Sequence, residues 1–215
     1  MGSENYRFHD HEKLAHYANA ATDIEFNFPF GFKELEGIHS RTDFDLSNHQ
    51  ALCGKKIQYF DPEMGESYVP YCVETSIGVD RMFLAVLSHS YTVEELEGGD
   101  SRVVLKIPAP LAPVKVAILP LVKKDGLPEL SQEVVNEIKY DFAYQYDEKD
   151  SIGKRYRRQD AIGTPFCVTV DNESLQDRCV TVRDRDTMEQ VRIPIAELRQ
   201  HIDEKVNMRG LLRNL

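Results

Sequence analysis

Short runs of alternating apolar and polar residues dominate the first half of the chain and predict strands with one buried face. In the clearest run, Ile24, Phe26 and Phe28 share one face, with polar residues between them. Because such runs are joined by turns and show no regular alternation with helices, we expect an antiparallel sheet. The predicted strands are 23–28, 34–38 and 68–75. One helix is predicted before them, over 9–21, from the spacing of Leu14, Tyr17 and Ala21.

The segment 74–87 is the most informative stretch of the chain. It predicts a strand that ends in small residues, a turn at Gly78, and a helix that opens with Asp80 and Arg81. A helix N-terminus carries exposed N–H groups and a partial positive charge, so it attracts phosphate. A cation in the first turn of a helix is unfavourable because it opposes the helix dipole. The presence of Arg81 there would be explained if its side chain binds an external anion. The alternative is an ordinary strand-to-helix connection with a solvated arginine.

The pattern changes near residues 98–113, where a Gly-Gly-Asp turn precedes a proline-rich extended linker at 108–113. Beyond the linker, strands and helices are mixed, which is typical of a compact α/β domain with a mixed sheet. The predicted strands are 114–119, 166–170, 180–183 and 190–193, and the predicted helices are 128–142, 152–162 and 198–206. We therefore expect two domains, 1–107 and 108–215.

Composition narrows the function classes. The apolar content of 41% and charged content of 29% are those of an ordinary globular protein. The longest apolar runs are too short to cross a bilayer, so no membrane association is expected. Four cysteines without a Cys-x-x-Cys pair indicate reduced thiols in a cytoplasmic protein, and argue against a zinc site or a disulfide framework. With a net charge of −10, binding to nucleic acid requires a local basic patch.

Carboxylates occur at two places near the predicted phosphate site. Glu34 and Glu36 are two apart on a strand, as are Glu74 and Ser76, so each pair is expected to share a face. If Glu34 and Glu74 converge with Arg81 on one cleft, the cleft suits a ligand with an amine at one end and phosphates at the other. Solvent-facing glutamates are the alternative. No P-loop, dinucleotide-binding or nucleophile-elbow motif occurs, and the histidine spacing predicts no metal site.

The densest basic cluster lies in the predicted helix 152–162. Lys154, Arg157 and Arg158 share one face of that helix. Arginines of the predicted hairpin at 180–193 are expected beside it, namely Arg183, Arg185 and Arg192. Such a surface could follow the phosphates of an RNA, or it could be a solvated helix balanced by neighbouring aspartates.

Four strings of the sequence resemble the glycyl-tRNA synthetase family, the dimeric class II type. They are Phe30–Leu46, Glu74–Arg81, Leu111–Ala117 and Ser151–Asp160, and the resemblance runs from about residue 8 to about residue 203. It implies the C-terminal part of a synthetase: an α+β antiparallel-sheet remnant of the class II catalytic domain, followed by an α/β mixed-sheet anticodon-binding domain. Nothing in the chain resembles class II motifs 1 and 2.

The resemblance also assigns residues. Gly78–Arg81 corresponds to class II motif 3, with Arg81 as the catalytic residue on the ATP γ-phosphate. The implied ATP-binding residues are Glu34, Leu35, Gly78, Val79, Asp80 and Arg81. The implied glycine-binding residues are Glu74, Thr75, Ser76, Ile77 and Gly78. Three tRNA-binding residues are assigned from charge alone, and not from a motif: Lys154, Arg157 and Arg158.

The family's chemistry is a two-step ligation that uses ATP and Mg²⁺. The glycine carboxylate attacks the ATP α-phosphorus, and the terminal ribose of the tRNA then attacks the adenylate. The resemblance implies a cytoplasmic parent enzyme that is a homodimer, with glycine and its tRNA as substrates. Without motifs 1 and 2 the chain alone is expected to bind tRNA and to be inactive. The alternative is a non-catalytic synthetase-like paralogue or an accessory RNA- or DNA-binding subunit.

Overall fold

The computed structural model describes residues 2–213, which form two compact units that divide between His89 and Ser90. We call the N-terminal one unit 1 and the C-terminal one unit 2. Within residues 2–213, none of the helices has the combination of length and apolar character that crossing a membrane requires.

Unit 1 is built on a four-stranded antiparallel sheet in the order β1-β2-β3-β6. Its strands are β1 (Tyr6–Asp10), β2 (Ala20–Phe28), β3 (Gly31–Ser40), β4 (Tyr59–Asp61), β5 (Glu66–Tyr68) and β6 (Val73–Ile77). Its helices are a 3-10 turn (Ser3–Asn5), α1 (Phe44–Cys53) and α2 (Val79–Ser90). The antiparallel sheet and the helix that follows Gly78 confirm the sequence prediction.

The core of unit 1 is small. Phe26 and Phe28 of β2 pack with Leu35 of β3 and Ala85 of α2. A bulge interrupts the pairing of β2 with β3, because Ile24 faces Glu36 while the next residue of β2 faces Glu34. A bulge breaks the two-residue alternation of a strand. It therefore separates Glu34 from Glu36, which the sequence predicted on one regular face.

One prediction for unit 1 is wrong, and a second is wrong in part. The helix expected over 9–21 is absent, because 6–10 pairs with β2 as strand β1, and long-range pairing outweighs weak helical periodicity. The strand expected over 68–75 is divided between β5 and β6, with Pro70 between them. Proline cannot donate a ladder hydrogen bond, so a strand seldom continues through it.

Unit 2 contains a five-stranded mixed sheet in the order β10-β9-β11-β12-β13. The strands are β7 (Tyr91–Glu95), β8 (Ser101–Leu105), β9 (Val116–Pro120), β10 (Tyr144–Tyr146), β11 (Phe166–Val170), β12 (Cys179–Asp184) and β13 (Gln190–Pro194). The helices are a 3-10 turn (Ala109–Leu111), α3 (Leu127–Ile138), α4 (Ile152–Ile162), α5 (Ser174–Asp177), α6 (Ile195–Val206) and α7 (Met208–Leu212). Strands β10, β9 and β11 are parallel, whereas β12 and β13 are antiparallel, as a mixed sheet requires.

Both faces of this sheet are covered. Alternate residues of β9 and β11 pack with α3 and α6 in the main core, to which Val116, Ile118 and Val168 belong. The residues between them, including Ala117 and Leu119, pack against Ile152 and Tyr156 of α4. The three long helices and four of the strands agree with the sequence prediction.

The hairpin β7–β8 belongs to unit 2, although the sequence suggested a boundary between residues 107 and 108. Arg102 of β8 donates from Nη1 to Asp160 of α4 at 3.0 Å and to the carbonyl oxygen of Arg185 at 2.9 Å. These buried contacts hold the hairpin to α4, which is why the compact units divide earlier in the chain. The assignment of the two predicted domains to catalysis and anticodon binding stays a prediction.

Candidate functional site

Arg81 and Glu34 come together at the N-terminus of α2. The Nη1 atom of Arg81 donates to the Glu34 carbonyl oxygen at 2.6 Å, and it lies 3.0 Å from Glu34 Oε2. The two side chains are about half exposed, at 51% and 49%. Arg81 therefore points from the first helical turn to the middle of β3, as the sequence pattern suggested, and its guanidinium remains accessible to an anion.

This pair lines an open cleft of about 420 Å³, within the size range of small-molecule sites. Strands β1, β2 and β3 and helix α2 all contribute to it. The other lining residues are His9, Asp23, Glu25, Phe28, Phe30, Lys33 and Leu84. Phe28 and Phe30 stack with ring centroids 5.2 Å apart, and Phe30 is 63% exposed. The cleft thus offers cations, carboxylates and an accessible aromatic ring within one small volume.

Glu25 is a charged residue of this cleft that the sequence analysis did not single out. Glu25 is 7% exposed. Its Oε2 atom accepts a hydrogen bond from Arg7 Nε, and its Oε1 atom lies 3.3 Å from His9 Nδ1. The hydrogen bond from Arg7 lowers the pKa of Glu25, and the contact with His9 acts in the same direction. The available signal was cross-strand charge pairing: Arg7 and His9 of β1 lie opposite Glu25 and Asp23 of β2.

Glu74 occupies a different position from the one expected. It is paired across the sheet with His39, whereas the pairing of β3 with β6 ends at Glu36 and Ile77, before Glu34 is reached. At about 3.3 Å per residue, the five steps from His39 to Glu34 span roughly 16 Å. The cleft lining includes Arg81 and Glu34 but not Glu74. The prediction that all three converge on one cleft is therefore wrong for Glu74.

Glu74 is instead held by Arg41, a residue without a predicted role. Arg41 Nη1 donates to Glu74 Oε2 at 2.5 Å, and Nε and Nη2 donate to the Asp45 carboxylate at 2.6 and 3.1 Å. The hydrogen bond from Arg41 lowers the pKa of Asp45. Bidentate Arg–carboxylate geometry of this kind fixes orientation as well as charge.

The remaining predicted residues fall into two groups. Leu35 is 5% exposed and packs in the core of unit 1, so only its main chain can contact a ligand. The others are exposed, on β6 or at the start of α2: Thr75, Ser76, Ile77, Gly78, Val79 and Asp80. Val79 is 80% exposed. Exposure leaves these residues accessible, as a binding segment requires.

The basic face of α4 is balanced by acidic neighbours. Arg157 pairs with Asp100 at 3.0 Å, and Arg158 pairs with Asp147 and Asp150 at 2.6 and 2.9 Å. Lys154 is exposed. These pairs match the alternative of a solvated helix balanced by aspartates. The arginines could still leave the aspartates to bind phosphate groups.

Arg183 and Arg185 lie beside α4, as expected, but they do not add to an accessible basic surface. Both are buried, and Arg183 binds Asp160 at 2.8 Å while Arg185 donates to the Gly163 carbonyl oxygen at 2.8 Å. Arg192 is paired with Asp171 and Asp177. Their positive charges serve internal contacts because the carboxylates lie within the fold of unit 2.

No group of three or more histidine, cysteine, aspartate or glutamate residues within the described range 2–213 is arranged to hold a metal ion. Mg²⁺ that accompanies a nucleotide needs fewer protein ligands than such a group provides. It keeps several waters and commonly takes one or two carboxylates together with phosphate oxygens. Glu34 supplies a carboxylate in the cleft beside Arg81.

Comparison with known proteins gives two concordant results. Residues 115–205 match the anticodon binding domain family. The chain is similar to the glycine–tRNA ligase of Borrelia hermsii, with 54% identity over 97% of this chain and 48% of that protein. It is also similar to the glycine–tRNA ligases of Macrococcus caseolyticus (58% identity, 93% of this chain, 43% of that protein) and Bacillus cereus (55%, 96% and 45%). The chain thus spans about half the length of the curated relatives it matches.

Proposed function

We propose that the chain belongs to the glycine–tRNA ligase family, to members of which it is 54–58% identical, and that it is the C-terminal part of an enzyme that activates glycine with ATP and transfers it to tRNA. The observation that carries this proposal is the Arg81–Glu34 pair at the N-terminus of α2, beside a cleft of about 420 Å³. Unit 1 then belongs to the catalytic domain, and residues 115–205 contribute the anticodon-binding domain.

In this proposal Arg81 is the catalytic cation for the terminal phosphate of ATP. A guanidinium is well suited to phosphate because it presents several donors in a rigid plane. Its position in the first turn of α2 adds the partial positive charge of the helix N-terminus. The bond to the Glu34 carbonyl oxygen preorganises the arginine, which reduces the cost of ordering it when ATP binds. The proposed ATP site comprises Glu34, Leu35, Gly78, Val79, Asp80 and Arg81.

Glu34 would be the protein carboxylate available to Mg²⁺ bound with ATP, and the ion would neutralise part of the phosphate charge. Phosphoryl-type transfers depend mainly on positioning and charge stabilisation. The cations Arg81 and Lys33 in the cleft support that role. Both would hold the phosphate oxygens while the glycine carboxylate approaches.

Glycine recognition is assigned to β6 and the residues after it: Glu74, Thr75, Ser76, Ile77 and Gly78. Glycine offers an ammonium, a carboxylate and two hydrogens, so selection needs an acidic group and a crowded site. Glu74 supplies the acidic group. Its separation from Arg81 by several residues of sheet is consistent with a ligand whose amine and terminal phosphate lie at opposite ends.

The tRNA surface in this proposal includes Lys154, Arg157 and Arg158. Because Arg157 and Arg158 are paired with aspartates, binding would exchange those carboxylates for phosphates. Such an exchange makes affinity depend strongly on salt. A cytoplasmic, homodimeric parent enzyme is part of the same proposal.

The test compares this 215-residue chain with the full-length polypeptide that contains it. We expect glycine-dependent ATP–pyrophosphate exchange only in the full-length protein, because nothing in the chain resembles the motif that contacts the α-phosphate. Both proteins should bind tRNA for glycine, with an affinity that falls as salt rises. Absence of exchange by a folded full-length protein would reject the ligase assignment and favour a non-catalytic binding subunit. Robust exchange by the 215-residue chain would reject its assignment as an incomplete site.

A further inference from the structure

Arg41 stands at the junction of three elements of unit 1. It follows the last residue of β3, precedes α1, and reaches Glu74 of β6 with a hydrogen bond of 2.5 Å. Its guanidinium carbon lies 4.1 Å from the centroid of the Tyr17 ring. The Nε, Nη1 and Nη2 atoms all donate to carboxylates. Each nitrogen of the Arg41 side chain therefore donates a hydrogen bond to a carboxylate, and these bonds fix the orientation of the guanidinium.

The backbone fixes the same geometry. The Arg41 N–H donates to the Cys72 carbonyl oxygen at 2.9 Å, and the Cys72 N–H donates to the Thr42 carbonyl oxygen at 2.9 Å. Cys72 immediately precedes β6, so these two bonds tie the Arg41 segment to the strand that carries Glu74. The distance between the guanidinium and the Glu74 carboxylate is thus set by main-chain contacts as well as by the side chains.

The charges of the cluster leave a net negative group. Arg41 contributes one positive charge against the two negative charges of Asp45 and Glu74. The hydrogen bond from Arg41 lowers the pKa of Asp45, which also lies in the first turn of α1, where a negative charge is favourable. Asp45 therefore balances Arg41, and the charge of Glu74 remains effective toward a cation. Arg41 occupies Oε2 of Glu74, which leaves Oε1 to accept from an ammonium group.

We propose that Arg41 is a positioning residue for the substrate amine: it holds Glu74 in the orientation that binds the glycine ammonium, with Asp45 balancing its charge. This inference rests on the proposed function of Glu74. Arg41 acts through Glu74 and does not itself contact the substrate. A preorganised carboxylate binds an ammonium better than a mobile one because the cost of ordering it is already met by the fold.

The experiment is a double-substitution cycle at positions 41 and 74 in the full-length ligase that contains this chain. Arg41→Gln should raise the KM for glycine by about 10–100-fold, the range of a hydrogen bond to a charged group. The KM for ATP should change by less than about twofold, since ATP is assigned to the Arg81 cleft. Arg41→Lys should recover part of the glycine affinity, because lysine keeps the positive charge. The recovery should be incomplete, because lysine cannot form the bidentate bond to Asp45.

The cycle distinguishes positioning from a merely structural role. If Arg41 acts through Glu74, Arg41→Gln should have almost no further effect on glycine KM in a Glu74→Gln background. Arg199→Gln is the matched control, because it breaks a comparable pair with Asp141 at 2.7 and 2.8 Å in unit 2 and should leave glycine KM unchanged.

Two failures can be told apart. An inactive, folded wild-type full-length protein would contradict the proposed function itself. An active wild type would support that function, and the positioning role would then be overturned by any of three results: an unchanged glycine KM in Arg41→Gln, equal losses of glycine and ATP affinity, or additive effects of the two substitutions. Thermal unfolding of each variant establishes that the protein is folded before its kinetics are compared.

Discussion

Units 1 and 2 use the same ionic side chains in opposite ways. In unit 2, Arg102 and Asp160 are 1% and 0% exposed, and Asp160 accepts from both Arg102 and Arg183. In unit 1, the side chain of Arg41 is 22% exposed and that of Arg81 is 51% exposed. A buried arginine–aspartate network joins elements of the fold, whereas accessible arginines keep donors or partner carboxylates within reach of a ligand. The difference separates structural charges from charges available for binding.

The apolar cores differ in the same direction. The main core of unit 2 includes residues from three strands and two helices on one face of its sheet, with a second cluster under α4. The buried cluster of unit 1 consists of Phe26, Phe28, Leu35 and Ala85. Because burial of apolar area is the main source of stability, unit 2 is expected to resist unfolding better. The strands of unit 1 also have more exposed positions than β9 and β11, whose residues are all buried.

The largest effect is expected at the buried network of unit 2. Asp160→Asn removes the charge that Arg102 and Arg183 share, and breaking a buried ion pair costs about 3–5 kcal/mol of the free energy of unfolding. The measurement is pulsed thiol labelling of Cys167 along a denaturant titration. Cys167 is 1% exposed, and burial raises the pKa of its thiol to about 12, so it reacts only when unit 2 opens.

The control for this substitution is Asp141→Asn, which breaks the exposed pair with Arg199. Surface ion pairs contribute little, so its labelling midpoint should move much less than that of Asp160→Asn. Equal shifts of the labelling midpoint in the two variants would mean that the buried Asp160 network stabilises unit 2 no more than an exposed ion pair does.

An intermediate effect is expected at the end of α4. Gly163 has a φ of +84°, and an added Cβ would lie 2.9 Å from Ile107 Cγ2 and 3.0 Å from the Leu105 carbonyl oxygen. Gly163→Ala should therefore lower the free energy of unfolding by about 1–3 kcal/mol. Gly153→Ala in the same helix is the matched control, since nothing lies within 4 Å of its added Cβ and alanine favours helix. A loss in Gly153→Ala as large as that in Gly163→Ala would contradict the steric explanation.

The smallest effect on stability is expected at the Arg81–Glu34 pair of unit 1. Both side chains are about half exposed, so Arg81→Gln should change the free energy of unfolding by about 1 kcal/mol or less. Hydrogen exchange of amides in β2 and β3 measures this change. If the proposed function is right, the same substitution in the proposed full-length ligase should sharply raise the KM for ATP. A large loss of protection with an unchanged KM for ATP would make Arg81 a structural residue like Arg102.

Local patterns predicted unit 2 better than unit 1. The apolar spacing of 152–162 and the cap at Gly163 match α4, because the helix buries one face and ends at a residue suited to positive φ. The antiparallel nature of the first sheet was also predictable. The strand at 6–10 was not, because Arg7 and His9 form a strand only by pairing with β2, far along the chain. The missed helix α1 has no buried residue, so it carries no apolar stripe.

The sequence by itself determined the family resemblance, the two-part organisation and the position of Arg81 at a helix N-terminus, because these depend on motifs and on the order of residues along the chain. Only the tertiary structure decided which charges meet. In the structure, Arg81 pairs with Glu34, Arg41 donates a hydrogen bond to Glu74, and Arg183 is buried against Asp160. The physical reason is that strand register, a bulge and helix packing bring together side chains whose separation in sequence contains no information about their distance in space.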